Sequence, residues 1–432
     1  MTNEVNAVDS HAAAGAPVAV IGFGVAGFNA AVGLRRAGYE GPVDVFSDLD
    51  TLPYSPILTS YYAGGMRPFD ECFPWTEQEV AELRLNVHNG CAVTGLDVEA
   101  HVVRTDRGDF PYAKCVIASG SSPSTAGFPD GCGYDPLVLH SLGDAERLKT
   151  ALADPACKRV LVSGASMVAL KTVEACLAQG KQVTLVGMNP HVLDYNALPA
   201  AAERFERGLA AKGVRLRLGQ TIADVRMREG ADVPEGRTLA VAFSNGDVDG
   251  FDEVAVAHGM RCNLPFVQDG ALEADQGLLV DEFMRTSDPD VYAAGDVAQA
   301  LELVSGQRRI VGVWKNAAVQ GAVAGRAIAC ELAGRTPQEA DAFPGSISSN
   351  TIAVDGTLFI SAGVTDAGPG TRVEVREGSD MTVVYVYRER EGGQPPQLVG
   401  FNVVSDVDEE GGVAYDTGAM LTLRILEGLG AR

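Results

Sequence analysis

The chain has 432 residues, 46% of them hydrophobic, which is enough for roughly two to four domains with substantial cores and argues against disorder. Its formal net charge of −23 disfavours nucleic acid and anionic membrane surfaces as partners. No apolar run reaches the roughly 20 residues of a membrane-spanning helix, so no membrane contact is expected.

Residues 1–16 carry acidic residues and no basic start, which predicts a flexible tail rather than an export signal and places the chain in the cytoplasm. The eight cysteines are scattered, without a CxxC or a metal-ligand spacing. They are expected as reduced thiols, many of them buried, and no metal site is expected.

The first organised stretch is an apolar strand, Val18–Ile21, that runs into Gly22-Phe23-Gly24-Val25-Ala26-Gly27. A helical period follows through about Arg36 and stops at Gly38. This is the strand–turn–helix of a dinucleotide-binding unit. Gly22 permits the tight turn, Gly24 lets backbone approach a pyrophosphate, and Gly27 lets helix pack on strand. The free N–H groups and positive dipole of the helix start then hold the phosphates. A second strand, Val43–Phe46, ends at Ser47 and Asp48. In such units an acidic side chain about 20 residues beyond the glycines holds ribose hydroxyls, and Asp48 is the candidate. It is equally placed to open a loop.

Residues 52–65, with Pro53, Pro56, Gly64 and Gly65, read as an irregular segment or a short helix start near the nucleotide. Residues 77–85 have the period of a short amphipathic helix, and 98–112 alternate like a hairpin around Asp106-Arg107-Gly108. A buried strand from Lys114 ends in the small residues Ser119 and Gly120, as backbone near a ligand requires. Residues 121–136 read as a linker, and a helix follows with Ser141 or Asp144 as N-cap. From Arg159 the opening device repeats, with Gly164, Ser166 and Ala169 at the three glycine positions and a further strand over 182–186. Helix and strand are predicted over 203–218, and further hairpin over 221–254. A strand ending at Gly295-Asp296-Val297 precedes a small-residue helix from about Trp314 to Gly334. Beyond Pro337, strands are expected around 347–354, 357–363, 371–377, 381–388 and 397–404, then a helix near 415–429.

Several of these phrases resemble the FAD- and NAD(P)-dependent pyridine nucleotide-disulphide oxidoreductases, the family holding ferredoxin and rubredoxin reductases, NADH oxidases and coenzyme A disulfide reductases. Phe46-Ser47-Asp48 with Leu52-Pro53-Tyr54 resembles the ferredoxin-reductase branch, and Tyr61-Tyr62-Ala63-Gly64-Gly65 the coenzyme A disulfide reductase branch. Residues 277–297 resemble the family's second flavin motif nearly throughout. The resemblance implies an α/β fold with two Rossmann-like nucleotide-binding domains and a smaller C-terminal α/β domain. The FAD domain (17–125 and 256–335) would be split by an inserted NAD(P)-type domain (126–255), and 336–432 would form a homodimer interface.

It also implies roles. FAD would be held by Gly22, Gly24, Val25, Ala26, Gly27, Ser47, Asp48, Ser119, Gly120, Gly295, Asp296 and Val297, with Asp296 accepting bonds from the ribityl hydroxyls. Trp314 would pack near the flavin ring or simply in the core. NADH or NADPH would sit at Gly164 and Ser166. Two observations weaken that second site: Gly187 stands where an acid would hold ribose, and Lys171 where relatives commonly carry glutamate. The alternative is a domain kept for architecture. Lys171 and His258 are the candidate catalytic residues, and His258 is equally suited to filling a polar slot. The redox cysteine of the disulfide-reductase branch falls on Ile57, which cannot form a thiolate, and Ser60 replaces the lysine of the other branch. The function expected is an FAD enzyme passing electrons from NAD(P)H, without a cysteine relay, to a small redox protein or small organic acceptor. The alternatives are an oxygen-reducing NADH oxidase and an FAD-holding subunit of a larger redox complex.

Overall fold

A computed structural model describes residues 15–227, 238–406 and 412–430. All but the last two positions of the expected N-terminal tail lie outside the described residues. The central strand of the first sheet is Val18–Ile21, buried at every position and paired in parallel with Val43–Phe46 and Lys114–Ile117. Asn86–His88 and Val291–Ala293 complete the sheet at its edges, again in parallel. Parallel strands need crossover connections, and helix α1 (Val25–Arg36) supplies the first. Pro56 starts α2 (Pro56–Ala63), and Thr76 caps α3 (Glu77–Glu82), which ends before the predicted residue 85 and buries none of its side chains. A small antiparallel sheet follows, Val93–Asp97 with Val102–Thr105 and Gly108–Pro111.

The second unit opens with α4 (Leu142–Ala153), where Ser141 is the N-cap and Asp144 returns the bond as the third helical residue. Arg159–Ser163, Gln182–Gly187, Arg215–Leu218 and Glu253–Val256 form a second parallel sheet, connected by α5 (Met167–Ala178) and α6 (Pro199–Ala211). The expected hairpin over 221–254 is corrected at its end. Ile222–Met227, Leu239–Phe243 and Val248–Phe251 are antiparallel, but Glu253–Val256 returns to the parallel sheet. The Asp252 carboxylate directs this return by accepting the Lys158 and Arg159 N–H groups, both at 2.7 Å.

The chain passes between the two sheets twice, and the passages pair. Ser121–Pro123 lies antiparallel to Met260–Cys262, so the predicted linker begins as a strand. After Val291–Ala293 comes α7 (Trp314–Leu332), packed so closely on α1 that even a methyl side chain is excluded at two points. A Cβ at Gly321 would lie 2.1 Å from the Ala26 carbonyl oxygen, and one at Gly325 would lie 2.1 Å from that of Ala30. The contacts climb in step, so the two helices run in the same direction.

The C-terminal unit is a five-stranded antiparallel sheet in the order Ser349–Val354, Thr357–Gly363, Gln397–Asp406, Met381–Arg388, Thr371–Glu377. Adjacent residues of a strand point to opposite faces. Phe359 meets Phe205 of α6, while Ile360 meets Gly418 of α8 (Gly412–Leu429). The whole is a mixed α/β fold with two parallel sheets of the nucleotide-binding type and a smaller C-terminal α/β unit. Among the described residues, no helix is long and apolar enough to cross a membrane.

Candidate functional site

The first glycine turn is shaped by two contacts and one opening. Gly22 has φ +102°, and a Cβ there would lie 2.3 Å from the Ala118 carbonyl oxygen. A Cβ at Gly27 would lie 2.0 Å from the oxygen of Gly22. Gly24 differs: it is exposed, and a Cβ there would have no atom of the described residues within 4 Å. The turn is therefore closed toward the protein and open toward a ligand. Gly24 caps α1 without a side-chain bond, and the first turn has no acidic residue, so the N–H groups of Val25, Ala26 and Gly27 keep their positive end uncompensated.

The Gly295–Asp296 segment arrives at the same place. Gly295 (φ +82°) would bring a Cβ to 3.1 Å from Ala26 and 3.6 Å from Ala317, and its N–H donates to buried Gln320 Oε1 at 2.8 Å. One oxygen of Asp296, Oδ2, accepts from Ser121 Oγ at 2.7 Å. Val297 is fully buried, and its carbonyl accepts the Leu278 N–H, so its role is to anchor the strand. Ser119 and Asn263 exchange two bonds, Ser119 Oγ to the Asn263 carbonyl at 2.6 Å and Asn263 Nδ2 to the Ser119 carbonyl at 3.1 Å. These fix Gly120, with φ +68° and open space around it, beside the paired passages. Ser47 is buried, with its hydroxyl accepting the Leu49 N–H, and Asp48 is exposed at the strand end.

Trp314 begins α7, whose first turn is also free of acid. It stacks on Trp75 at 6.0 Å and 17°, and Trp75 stacks on Phe28 at 4.1 Å. Trp314 Nε1 is buried with no partner among the described residues, a donor left for something they do not supply. Trp75 was invisible in the sequence, because nothing local marks an aromatic that reaches a site from a distant loop.

The second turn is built differently. Gly164 (φ +120°) approaches the Ala257 carbonyl as Gly22 does Ala118, with a Cβ at 2.4 Å. Ser166 is the N-cap of α5, and its hydroxyl accepts from Ala169 N at 3.4 Å. Gly187 cannot carry a longer side chain as the turn stands, since its Cβ would sit 2.9 Å from that of Ala165. Lys171 lies 3.9 Å from the centre of the Tyr61 ring and pairs with Glu174, joining α5 to α2. Burial pushes the Glu174 carboxyl up, against the pull of Lys171.

His258 is held at both nitrogens. Nδ1 lies 2.8 Å from the Ala126 carbonyl, which only accepts, so Nδ1 donates there, and Nε2 lies 2.8 Å from Ser163 Oγ. The ring thereby ties one inter-sheet passage to the second sheet, a geometry that suits a polar slot. Ile57 is 55% exposed in the first turn of α2, whereas Cys72 is fully buried and its thiol is pushed up by burial. All eight cysteines are unpaired.

The sequence pattern that defines the pyridine nucleotide-disulphide oxidoreductases matches residues 16–321. The chain is 28% identical over 318 residues to a rubredoxin-NAD(+) reductase of Pseudomonas putida, covering 72% of this chain and 79% of that one. It is 27% identical over 346 residues to the epsilon subunit of an NADH-dependent phenylglyoxylate dehydrogenase of Aromatoleum evansii, covering 79% of this chain and 78% of that one. Putidaredoxin reductase, solved in a covalent complex with putidaredoxin, has the same fold at a TM-score of 0.79 and 22% identity, over 95% of this chain and 93% of that one. The chain therefore belongs to the pyridine nucleotide-disulphide oxidoreductase family and is an oxidoreductase of that type.

Proposed function

We propose that this chain is an FAD-dependent oxidoreductase that takes hydride from NAD(P)H and passes electrons to a small redox protein. The observation that carries the reading is the meeting of residues 22–27 with Gly295–Asp296 at Ala26, which brings two distant segments to one place. The residues fit the group: the opening at Gly24 admits a pyrophosphate, Asp296 offers a carboxylate to the ribityl hydroxyls, and Trp314 offers an N–H beside the ring. FAD, when bound, accepts a hydride and releases its electrons singly or in pairs. The chain's own part is to bind and orient. The start of α7 favours negative charge near the ring, Ser119 and Asn263 hold the backbone at Gly120, and Lys171 stands over Tyr61 between the two units. Ile57 removes a thiol from the reaction path.

In this reading residues 17–125 and 256–335 bind FAD, 126–255 bind the nicotinamide donor, and 336–432 join two copies. The rubredoxin reductase relatives support a redox-protein acceptor. The relationship to a dehydrogenase epsilon subunit, together with the closed Gly187 position, supports a second reading in which the chain serves inside a larger redox complex.

An anaerobic acceptor screen on the purified yellow protein decides between them. NADH or NADPH should bleach the flavin, and a rubredoxin- or ferredoxin-type protein should restore its colour. Flavin that neither nucleotide bleaches selects the subunit reading, and recovery of colour with oxygen alone selects an oxidase. Asp296→Ala should lose most of its FAD on purification, and stoichiometric FAD in that variant would remove Asp296 from the site.

A further inference from the structure

We propose that Trp75 is a positioning residue for the flavin site: it clamps the Trp314 indole so that the buried Nε1–H is held toward the cofactor. The inference rests on the reading that residues 22–27 and Gly295–Asp296 hold FAD, and it adds a residue that lies in neither segment. The chain has two tryptophans, and they stack on each other, with ring centres 6.0 Å apart and planes at 17°.

Trp314 stands where those segments converge. It is one turn ahead of Ala317, whose methyl lies 3.6 Å from a Cβ built at Gly295, so the two share a face of α7. Its backbone is fixed: Val313 N–H reaches the Val311 carbonyl at 2.8 Å, and Asn316 Nδ2 reaches the same oxygen at 2.9 Å. The indole is not fixed in that way. It belongs to none of the apolar cores, and its one aromatic neighbour among the described residues is Trp75. With the backbone held, two side-chain torsions still decide where the ring lies. The N–H lies in the ring plane, so whatever sets that plane also sets the direction of the donor.

Trp75 has the anchoring that Trp314 lacks. It packs against the core of the first sheet and lies 4.1 Å from buried Phe28 of α1, the rings inclined at 30°. Its backbone is tied on both sides. Before it, the Cys72 carbonyl accepts the Ser55 N–H at 2.8 Å. After it, Thr76 closes a capping box with Glu79, its N–H reaching Oε2 at 2.8 Å, and Arg35 Nε donates to the Leu83 carbonyl at 2.7 Å. Helix α3 buries none of its own side chains, so these ties, not a packed helix face, bring Trp75 to the site. A stacked aromatic pair favours its own geometry about two- to tenfold, enough to select one indole orientation. A buried donor without an acceptor is unfavourable in the flavin-free chain, and a cofactor that accepts from it removes that penalty. The clamp therefore acts on FAD affinity through Trp314.

Calorimetric titration of the flavin-stripped full chain with FAD tests this without turnover. Trp314→Phe, which keeps a ring but removes the N–H, should weaken FAD about fivefold. Trp75→Ala should weaken it about as much, and Trp75→Phe should stay within about twofold of wild type because a ring still stacks. The double variant Trp75→Ala/Trp314→Phe should be no weaker than either single one, since both remove the same aimed donor. Flavin-free Trp314→Phe should resist urea at least as well as wild type, a result that a purely structural tryptophan would not give. Should Trp75→Ala fail to fold, Trp75→Leu fills the position without a ring and carries the same prediction. Losses that multiply to about 25-fold in the double variant would show two independent roles and overturn the clamp. Wild-type affinity in Trp314→Phe overturns it equally, and in both cases the flavin reading stands. A wild type that binds no FAD sinks that reading and the clamp together.

Discussion

At Gly22 and Gly24, two residues apart, an added methyl group meets opposite surroundings, and the difference separates folding from binding. At Gly22 it collides with the Ala118 carbonyl on a backbone already in the left-handed region. Gly22→Ala should therefore cost about 3 kcal/mol, from a positive φ and an overpacked contact together. At Gly24 the backbone is extended (φ −76°) and a methyl group has open space, so the substitution should cost only about 1 kcal/mol, as alanine is a poor helix cap. Urea unfolding of the flavin-stripped proteins measures both. Gly24→Val should likewise cost only about 1 kcal/mol, yet purify largely colourless, because its side chain occupies the pyrophosphate's approach. A yellow Gly24→Val with one FAD per chain would show that the phosphates lie elsewhere. His258 makes a related point about single residues. The sequence offered it as a candidate catalytic residue, and only three-dimensional placement shows both nitrogens hydrogen-bonded.

What could be read in advance depended on whether the determining contact is local. The Gly22–Gly27 turn and the Gly295–Asp296 strand end are short patterns whose meaning lies within a few residues, and they were legible. The α1–α7 seam was not, although Gly321 and Gly325 carry a four-residue spacing that could have signalled close helix packing. Its counterpart, Ala26 and Ala30, lies some three hundred residues away. The Ser121–Asp296 bond and the Trp75–Trp314 stack escaped for the same reason. The end of α7 is pinned by another long-range device. Glu331 pairs with Lys114 at 2.6 Å and with Arg285 at 2.5 Å, while Lys114 also reaches Asp290 at 2.7 Å. Burial raises the Glu331 carboxyl, but the Lys114 and Arg285 bonds outweigh it and hold the group below its ordinary value. A depressed carboxyl stabilises the fold above its unfolded pKa, about 4.3, and that contribution is lost as pH falls through the folded value. Glu331→Gln should cost about 2 kcal/mol at pH 7. Its stability should also fall less steeply than that of wild type below about pH 4.5. Parallel pH profiles for the two proteins would mean that the network carries no net charge coupling.

At the scale of the whole molecule, the C-terminal unit shows a surface that the single chain does not use. Helix α8 buries Ala414, Gly418, Leu421 and Ile425 against its sheet, at the spacing of one helical face. Val413, Met420 and Leu423, on the other side, are exposed. Val373 and Val375 are exposed as well, on the edge strand of the same sheet. An apolar face on a chain with net charge −23 is poorly explained by solubility, and it suits association of two copies through this unit. Association through a two-fold axis counts each side chain twice, so burying Leu423 at about 2 kcal/mol contributes about 4 kcal/mol to a dimer. Leu423→Glu should then weaken the dimer by about a thousandfold, while leaving the first two sheets and their crevices intact. Sedimentation velocity at micromolar concentration reads the first effect, and retained flavin absorbance reads the second. A wild type that sediments as a single chain would remove the dimer, and a variant that remains dimeric would place the interface on another face.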